Sequence, residues 1–131
     1  MYLLDTDVII DFLRGKPNVV SYLKNIIKSN ELSTSFLNLC ELYKGVYRSK
    51  DKILEEQKVD AFVNSIAVLQ LNRFVSKRYG RINFYLYSKG KPTQDMDLMI
   101  ASVAIENGAI LLTKNKRHYE NIPDLRLEVV N

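Results

Sequence analysis

Residues 3–13 read LLDTDVIIDFL. The short apolar run from Tyr2 stops at Asp5, and residues 8–13 then resume with helical spacing, so a strand delivers the chain directly into a helix. That is the opening of an α/β unit. The alternation continues outward from it. Pro17 suits a first helical position, and Val19, Val20, Leu23, Ile26 and Ile27 recur at three-to-four spacing, which predicts a helix over 17–28. A short strand is predicted over 31–35. It leads into a helix that Ser35 caps and whose inward face is Phe36, Leu39, Tyr43 and Val46.

A helix over 51–65, with Ile53, Leu54, Phe62 and Val63 inward, precedes a strand over 67–71. Asn72 caps a long amphipathic helix through Tyr87, lined by Val75, Tyr79, Ile82 and Leu86. After the breakers Gly90, Pro92 and Thr93, a helix over 95–107 is closed by Gly108, and a strand over 109–112 follows. A helical turn near 117–121, Pro123 and a strand over 127–130 complete the pattern. Helices alternating with short apolar strands imply a three-layer α/β/α fold around a central parallel sheet of four to five strands.

Length and composition bound the rest. The 131 residues and a 47% hydrophobic fraction suit one domain with one sizeable core. No apolar run approaches the roughly 18 residues of a membrane span, and no leader pattern opens the chain, so a cytoplasmic enzyme or binding domain is expected. Cys40 has no partner for an internal disulfide and is expected as a buried thiol. A net charge of +4 suits contact with phosphate without demanding it. Basic residues thicken at 73–81, read as a solvated helix face, and at 114–117.

The acids carry the chemistry. Ligands of open α/β sheets bind outside the carboxyl ends of the strands, and Asp5 stands at such an end. Asp95 and Asp97 open the helix before the 109–112 strand, whose last apolar residue is followed by Thr113, Lys114 and Asn115. Glu41 lies about two turns into its helix. Singly, Asp7, Asp95 and Asp97 are explained by helix dipoles, worth about 0.3–1 kcal/mol each, and Glu41 by simple exposure. Asp5, ending a buried strand, needs a partner. Should Asp5, Glu41 and Asp97 meet, two such charges at about 4 Å repel by roughly 4 kcal/mol at an effective dielectric of 20, and something must neutralise them. An oxygen-only set suits Mg²⁺ or Mn²⁺. With one histidine, His118, and one cysteine, no zinc set is available.

LLDTDVIIDFL, STSFLNLCELYKGV (33–46), QDMDLMIASVAIENGAILLTKN (94–115) and HYENIPDL (118–125) together resemble, in order and spacing, the successive motifs of VapC-type PIN domains. The resemblance implies a metal-dependent ribonuclease, the toxin of a toxin–antitoxin pair. It places the metal-holding acids on Asp5, Glu41 and Asp97, an auxiliary acid on Asp95, and a fourth, usually acidic, position on Asn115. Thr6, Ser35 and Thr113 match hydroxyl positions that orient acids or water, although turn formation and capping explain Ser35 equally well. A VapB-like antitoxin and a homodimer are further implications. Arg14, Lys114, Lys116 and Arg117 are candidate contacts to the RNA backbone, with solvated turns as the alternative.

Two rival readings stay open at this level. Asp5-Thr6-Asp7 followed late by Thr113-Lys114 also resembles haloacid-dehalogenase-like phosphatases, with Asp5 as nucleophile and Asp7 as acid/base. Those enzymes place a further acid after the lysine, whereas Asp95 and Asp97 precede it here. On that contrast Asp7→Asn is severe for a phosphatase and mild for a nuclease. The other rival is a PIN-like interaction module without turnover.

Overall fold

The computed structural model describes residues 1–131. Five strands alternate with seven helices: β1 (Tyr2–Leu4), α1 (Thr6–Leu13), α2 (Pro17–Ile26), β2 (Leu32–Ser35), α3 (Phe36–Tyr47), α4 (Lys52–Val63), β3 (Ala67–Leu69), α5 (Arg73–Ser88), α6 (Asp95–Glu106), β4 (Ile110–Thr113), α7 (Lys116–Tyr119) and β5 (Arg126–Val129). All strand pairs are parallel, in the spatial order β3-β2-β1-β4-β5.

This order sets the site. From β1 the chain winds outward through β2 to β3, then returns to the far side of β1 as β4, so the winding reverses between β1 and β4. Connections leaving their carboxyl ends diverge there and open a crevice. Tyr2, Leu3 and Leu4 stand opposite Ile110, Leu111 and Leu112, which brings Asp5, just after β1, and Thr113, the last residue of β4, to one edge. On the other side, Thr34 of β2 donates its buried hydroxyl to the Leu4 carbonyl at 2.9 Å and fixes the end of β1.

Strand alternation separates two cores. Leu3 and Leu111 point toward α5, α6 and α7, where they meet Val75, Ile82, Leu98 and Tyr119. Leu4 and Leu112 point the other way, toward α1, α2, α3 and α4, and meet Val8, Val19, Leu42 and Val59. Each apolar face of the sheet is thus covered by helices, the three-layer arrangement expected from the sequence. No helix is long and apolar enough to cross a membrane.

Local signals held where capping chemistry decides the boundary. The Asn72 side chain accepts from the Val75 amide at 2.9 Å at the start of α5. Ser35 and Asn38 form a reciprocal capping box at the start of α3. Gly108 takes the left-handed conformation, φ +63°, that ends the run after α6.

Three expectations are corrected. In α3, Val46 is buried and Leu39 and Tyr43 pack partly against the core as expected, but Phe36 is exposed and Leu37, Asn38 and Leu42 are buried instead, because this helix spans both cores: Leu37 packs in one, Leu42 and Val46 in the other. In α4, Ile53 and Leu54 are exposed and Val59 carries the buried contact, with Phe62 and Val63 partly covered. Cys40 is exposed, since it lies on the side of α3 away from both cores.

Candidate active site

Asp5 is the hub of the crevice. It is buried at the end of β1 and caps α1, its Oδ1 accepting from the Thr6 amide at 2.9 Å and from Asn38 Nδ2 at 3.2 Å. Its Oδ2 accepts the Thr113 hydroxyl at 2.8 Å. The partner that a buried strand-end carboxylate requires is therefore a ring of donors drawn from α1, α3 and β4.

Glu41 joins through Thr6, whose hydroxyl donates to Glu41 Oε1 at 2.6 Å and accepts from Asn38 Nδ2 at 3.0 Å. Asn38 and Glu41 are three residues apart on α3 and so face the same way. Ser35 reaches the acids indirectly: its hydroxyl donates to Asn38 Oδ1 at 2.5 Å, which aims the Asn38 amide at Asp5 and Thr6. The same hydroxyl also caps α3, accepting from the Asn38 backbone amide at 3.2 Å.

Asp97 enters from the first turn of α6. Tyr119, buried on α7, points its hydroxyl at Asp97 Oδ1 (3.4 Å) and is close enough to Asp5 to feel its charge. His118 Nδ1 lies 3.2 Å from Asp97 Oδ2. Burial raises the Asp97 pKa above the ordinary carboxylate range; His118 opposes that rise and the Asp5 charge adds to it. The two carboxylates are near enough to sense one another. As they stand, the acids do not close into a group of three ligands gripping a cation.

Asp7 also belongs to this edge. Its Oδ2 accepts from the Asn115 side-chain amide at 2.9 Å and the Lys114 backbone amide at 3.1 Å, with the Thr113 hydroxyl at 3.4 Å. Its Oδ1 is shut off from solvent and has no hydrogen-bond partner. Burial, then the Asp5 charge, pushes the Asp7 carboxyl up to about 6. The bland dipole reading of Asp7 fails on these contacts.

The remaining candidates divide. Asp95 is exposed and its Oδ1 accepts the Tyr79 hydroxyl at 2.6 Å; two residues before Asp97 on α6, it lies about 200° around the helix and is not brought to the Asp5 cluster. Asn115 does reach the edge, through Asp7. Lys114 pairs its ammonium with buried Asp11 of α1, so it is not the free cation expected from the sequence. Arg14 lines a different groove, of about 340 Å³ between α1, α3 and α4. Lys116 is exposed at the start of α7. Arg117 lines a wholly polar cleft of about 200 Å³ with Gln94, Asp97, His118 and Asn121.

Sequence reasoning missed Asn38, Tyr119 and Asp11 and gave His118, exposed on α7, no role at the site. For Asn38 a signal existed, its spacing from Glu41. The others gain their roles only when α7 and α1 close on the crevice.

A model of the PIN domain matches residues 2–124. The ribonuclease VapC2 of Rickettsia felis is 33% identical to this chain, with 98% of this chain and 96% of the relative covered. The tRNA(fMet)-specific endonuclease VapC of Shigella flexneri is 30% identical, over 97% of this chain and 96% of its own length. Among solved structures, that of VapBC2 from Rickettsia felis bound to a DNA fragment from their promoter superposes with a TM-score of 0.93 at 30% identity, covering 99% of this chain and 98% of that one. Likeness over nearly the whole length, with Asp5, Glu41 and Asp97 drawn to the crevice of a parallel sheet, leads to one assignment: this chain belongs to the PIN domain family.

Proposed function

We propose that the chain is a divalent-metal-dependent endoribonuclease, the toxin of a toxin–antitoxin pair, with Asp5, Glu41 and Asp97 as its metal-holding acids. The observation that carries this reading is the linkage of Asp5 and Glu41 through Thr6 and Asn38 at the β1–β4 crevice, with Asp97, held by Tyr119 and His118, near enough to feel the Asp5 charge. The names of the VapC relatives support the ribonuclease class. RNA as substrate goes with the expected cytoplasmic location.

The residues fit Mg²⁺ or Mn²⁺. The donor set is oxygen throughout, and carboxylates that stop short of a closed cage suit an ion that keeps part of its water shell. When bound, such an ion makes a coordinated water more acidic and offsets charge on phosphoryl oxygens. The chain's own groups do the rest. Asn38 and Thr113 fix both oxygens of Asp5, Thr6 fixes Glu41, and His118 with Tyr119 fixes Asp97. Arg117, which lines the polar cleft beside Asp97, and the exposed Lys116 before it are the cations best placed for an RNA backbone; Arg14 and Lys114 recede from that role. Asp95 serves α6 as an N-terminal charge and a tie to Tyr79, and Asn115 acts through Asp7.

A VapB-like antitoxin is the proposed protein partner, supported by the VapBC complex among the similar structures. A homodimer is proposed on the outward aromatics of α5, Phe84 and Tyr87, which are 72% and 78% exposed. The phosphatase alternative loses its ground with family membership.

The test is cleavage of RNA by purified protein in Mg²⁺. Asp97→Asn is expected to abolish it while leaving the circular dichroism spectrum unchanged, and chelation of the metal is expected to do the same to the wild type. Undiminished cleavage by Asp97→Asn removes that residue from the mechanism.

A further inference from the structure

We propose that Asp7 is a fourth carboxylate for the divalent cation and that Asn115 is its positioning residue. The inference rests on the metal-nuclease reading above and extends it to two side chains on opposite flanks of Asp5.

The geometry of Asp7 is lopsided. Three groups from the end of β4 and the turn after it, the Asn115 amide, the Lys114 backbone N–H and the Thr113 hydroxyl, all address Oδ2. Oδ1 is inaccessible to solvent and meets no donor. A carboxylate that served only the α1 dipole would turn to that helix's free amides or to water. Asp7 instead reaches across to the β4 side of the crevice. One hydroxyl, that of Thr113, points at both Asp5 Oδ2 and Asp7 Oδ2, so the two acids share a donor and feel each other's charge. A bare, buried anionic oxygen beside a second anion is unfavourable until a positive partner meets it. A hard cation is the partner whose ligand preference matches an all-oxygen edge.

Asn115 then has a defined task. Its amide donates to Oδ2 and leaves Oδ1 as the free donor atom of Asp7. A neutral amide suits that place, because a carboxylate there would face Asp7 directly. The arrangement also changes one expectation from the sequence: Asp7→Asn is not mild for a nuclease built this way, and it does not separate a nuclease from a phosphatase.

The experiment measures Mn²⁺ binding to the purified full chain by electron paramagnetic resonance, without RNA. It compares the wild type, Asp7→Asn, the double exchange Asp7→Asn with Asn115→Asp, and Asp97→Asn. Asp7→Asn is expected to weaken Mn²⁺ binding by about tenfold or more. The double exchange, which moves the carboxylate to the other end of the same hydrogen bond, is expected to recover affinity to within about threefold of wild type. Thermal melts of the metal-free variants report folding, and the isosteric exchange supplies a second variant if the single one is unstable. Wild-type affinity in Asp7→Asn together with loss in Asp97→Asn overturns this inference alone. Wild-type affinity in both overturns the metal-nuclease reading beneath it.

Discussion

The hydroxyl of Thr113 meets the carboxylate of Asp5 at 2.8 Å and so ties the end of β4 to the end of β1. Thr113 is fully buried, and no water replaces a lost donor there. Thr113→Val keeps the shape and removes the hydroxyl, leaving Asp5 Oδ2 without its partner, a loss of about 1–3 kcal/mol. Urea unfolding is expected to show that loss, RNA cleavage to fall with it, and Thr113→Ser to restore both. A valine variant with wild-type stability and rate would make the hydroxyl idle.

Asn38 is the sharper case, because its amide donates to Asp5 and Thr6 while its oxygen accepts from Ser35. Asn38→Asp keeps the size and sets a second negative charge against Asp5, at a cost of about 2–4 kcal/mol. Chemical denaturation is the measurement. A variant as stable as wild type means that Asn38 does not hold the hub.

Lys114 and Asp11 form a pair whose carboxylate side is buried and whose ammonium side is 37% exposed. Lys114→Met is expected to destabilise by about 1–3 kcal/mol, less than for a fully buried pair, and Asp11→Leu added to it to recover most of the loss. In RNA binding the roles separate: Arg117→Met is expected to reduce the slope of log affinity against log salt by about one, and Lys114→Met to leave it unchanged. Equal slopes for the two variants would return Lys114 to the RNA contacts.

Tyr2 of β1 and Tyr22 of α2 both donate to Glu128 of β5. Burial first, and that carboxylate second, raises both phenols above their ordinary 10.0, Tyr22 to about 12. The folded state thus favours the protonated phenols. The contribution of Tyr22 to stability is complete below pH 10 and is lost as pH rises through about 12, and that of Tyr2 is lost above pH 10 in the same direction. Absorbance of tyrosinate against pH is expected to show late-titrating tyrosines in the folded protein that Tyr22→Phe removes in part. A single titration near the ordinary value would rule the shared acceptor out.

Phe84 and Tyr87 stand outward on α5, on the side opposite the buried Val75, Ile82 and Leu86. If a second copy covers them, Phe84→Glu is expected to convert a dimer to a monomer in light scattering while leaving the fold intact. Light scattering that finds the same oligomer in both proteins would place the interface elsewhere.

The strand–helix alternation was legible because each element carries its own punctuation: Asp5 ends β1, Ser35 and Asn72 cap their helices, and Gly108 closes the run after α6. The phases of α3 and α4 were not. A helix that serves two cores has no single apolar stripe, and α4 docks through few residues while Ile53 remains 75% exposed. Within the site, Asp5 stood out by its place at a strand end, whereas Glu41 and Asp97, each with an ordinary explanation when taken alone, were legible through the resemblance to VapC-type PIN domains. Tyr119, His118 and Asp11 were not, since nothing local distinguishes a phenol, an imidazole or a carboxylate that acquires its partner from a distant segment. Asp95 misled for a related reason: two residues along a helix is nearly half a turn away from the side that matters.

The hydrogen bond from Thr113 to Asp5 spans 108 positions of the chain, and β1 pairs with β4 over the same interval. During synthesis the first acid is therefore made long before the strand and hydroxyl that hold it, and no shorter nascent fragment contains both. The crevice is therefore completed late, once the segment that carries β4 and Thr113 has been made. A fold with its key acid and that acid's anchor on neighbouring turns would lack this delay.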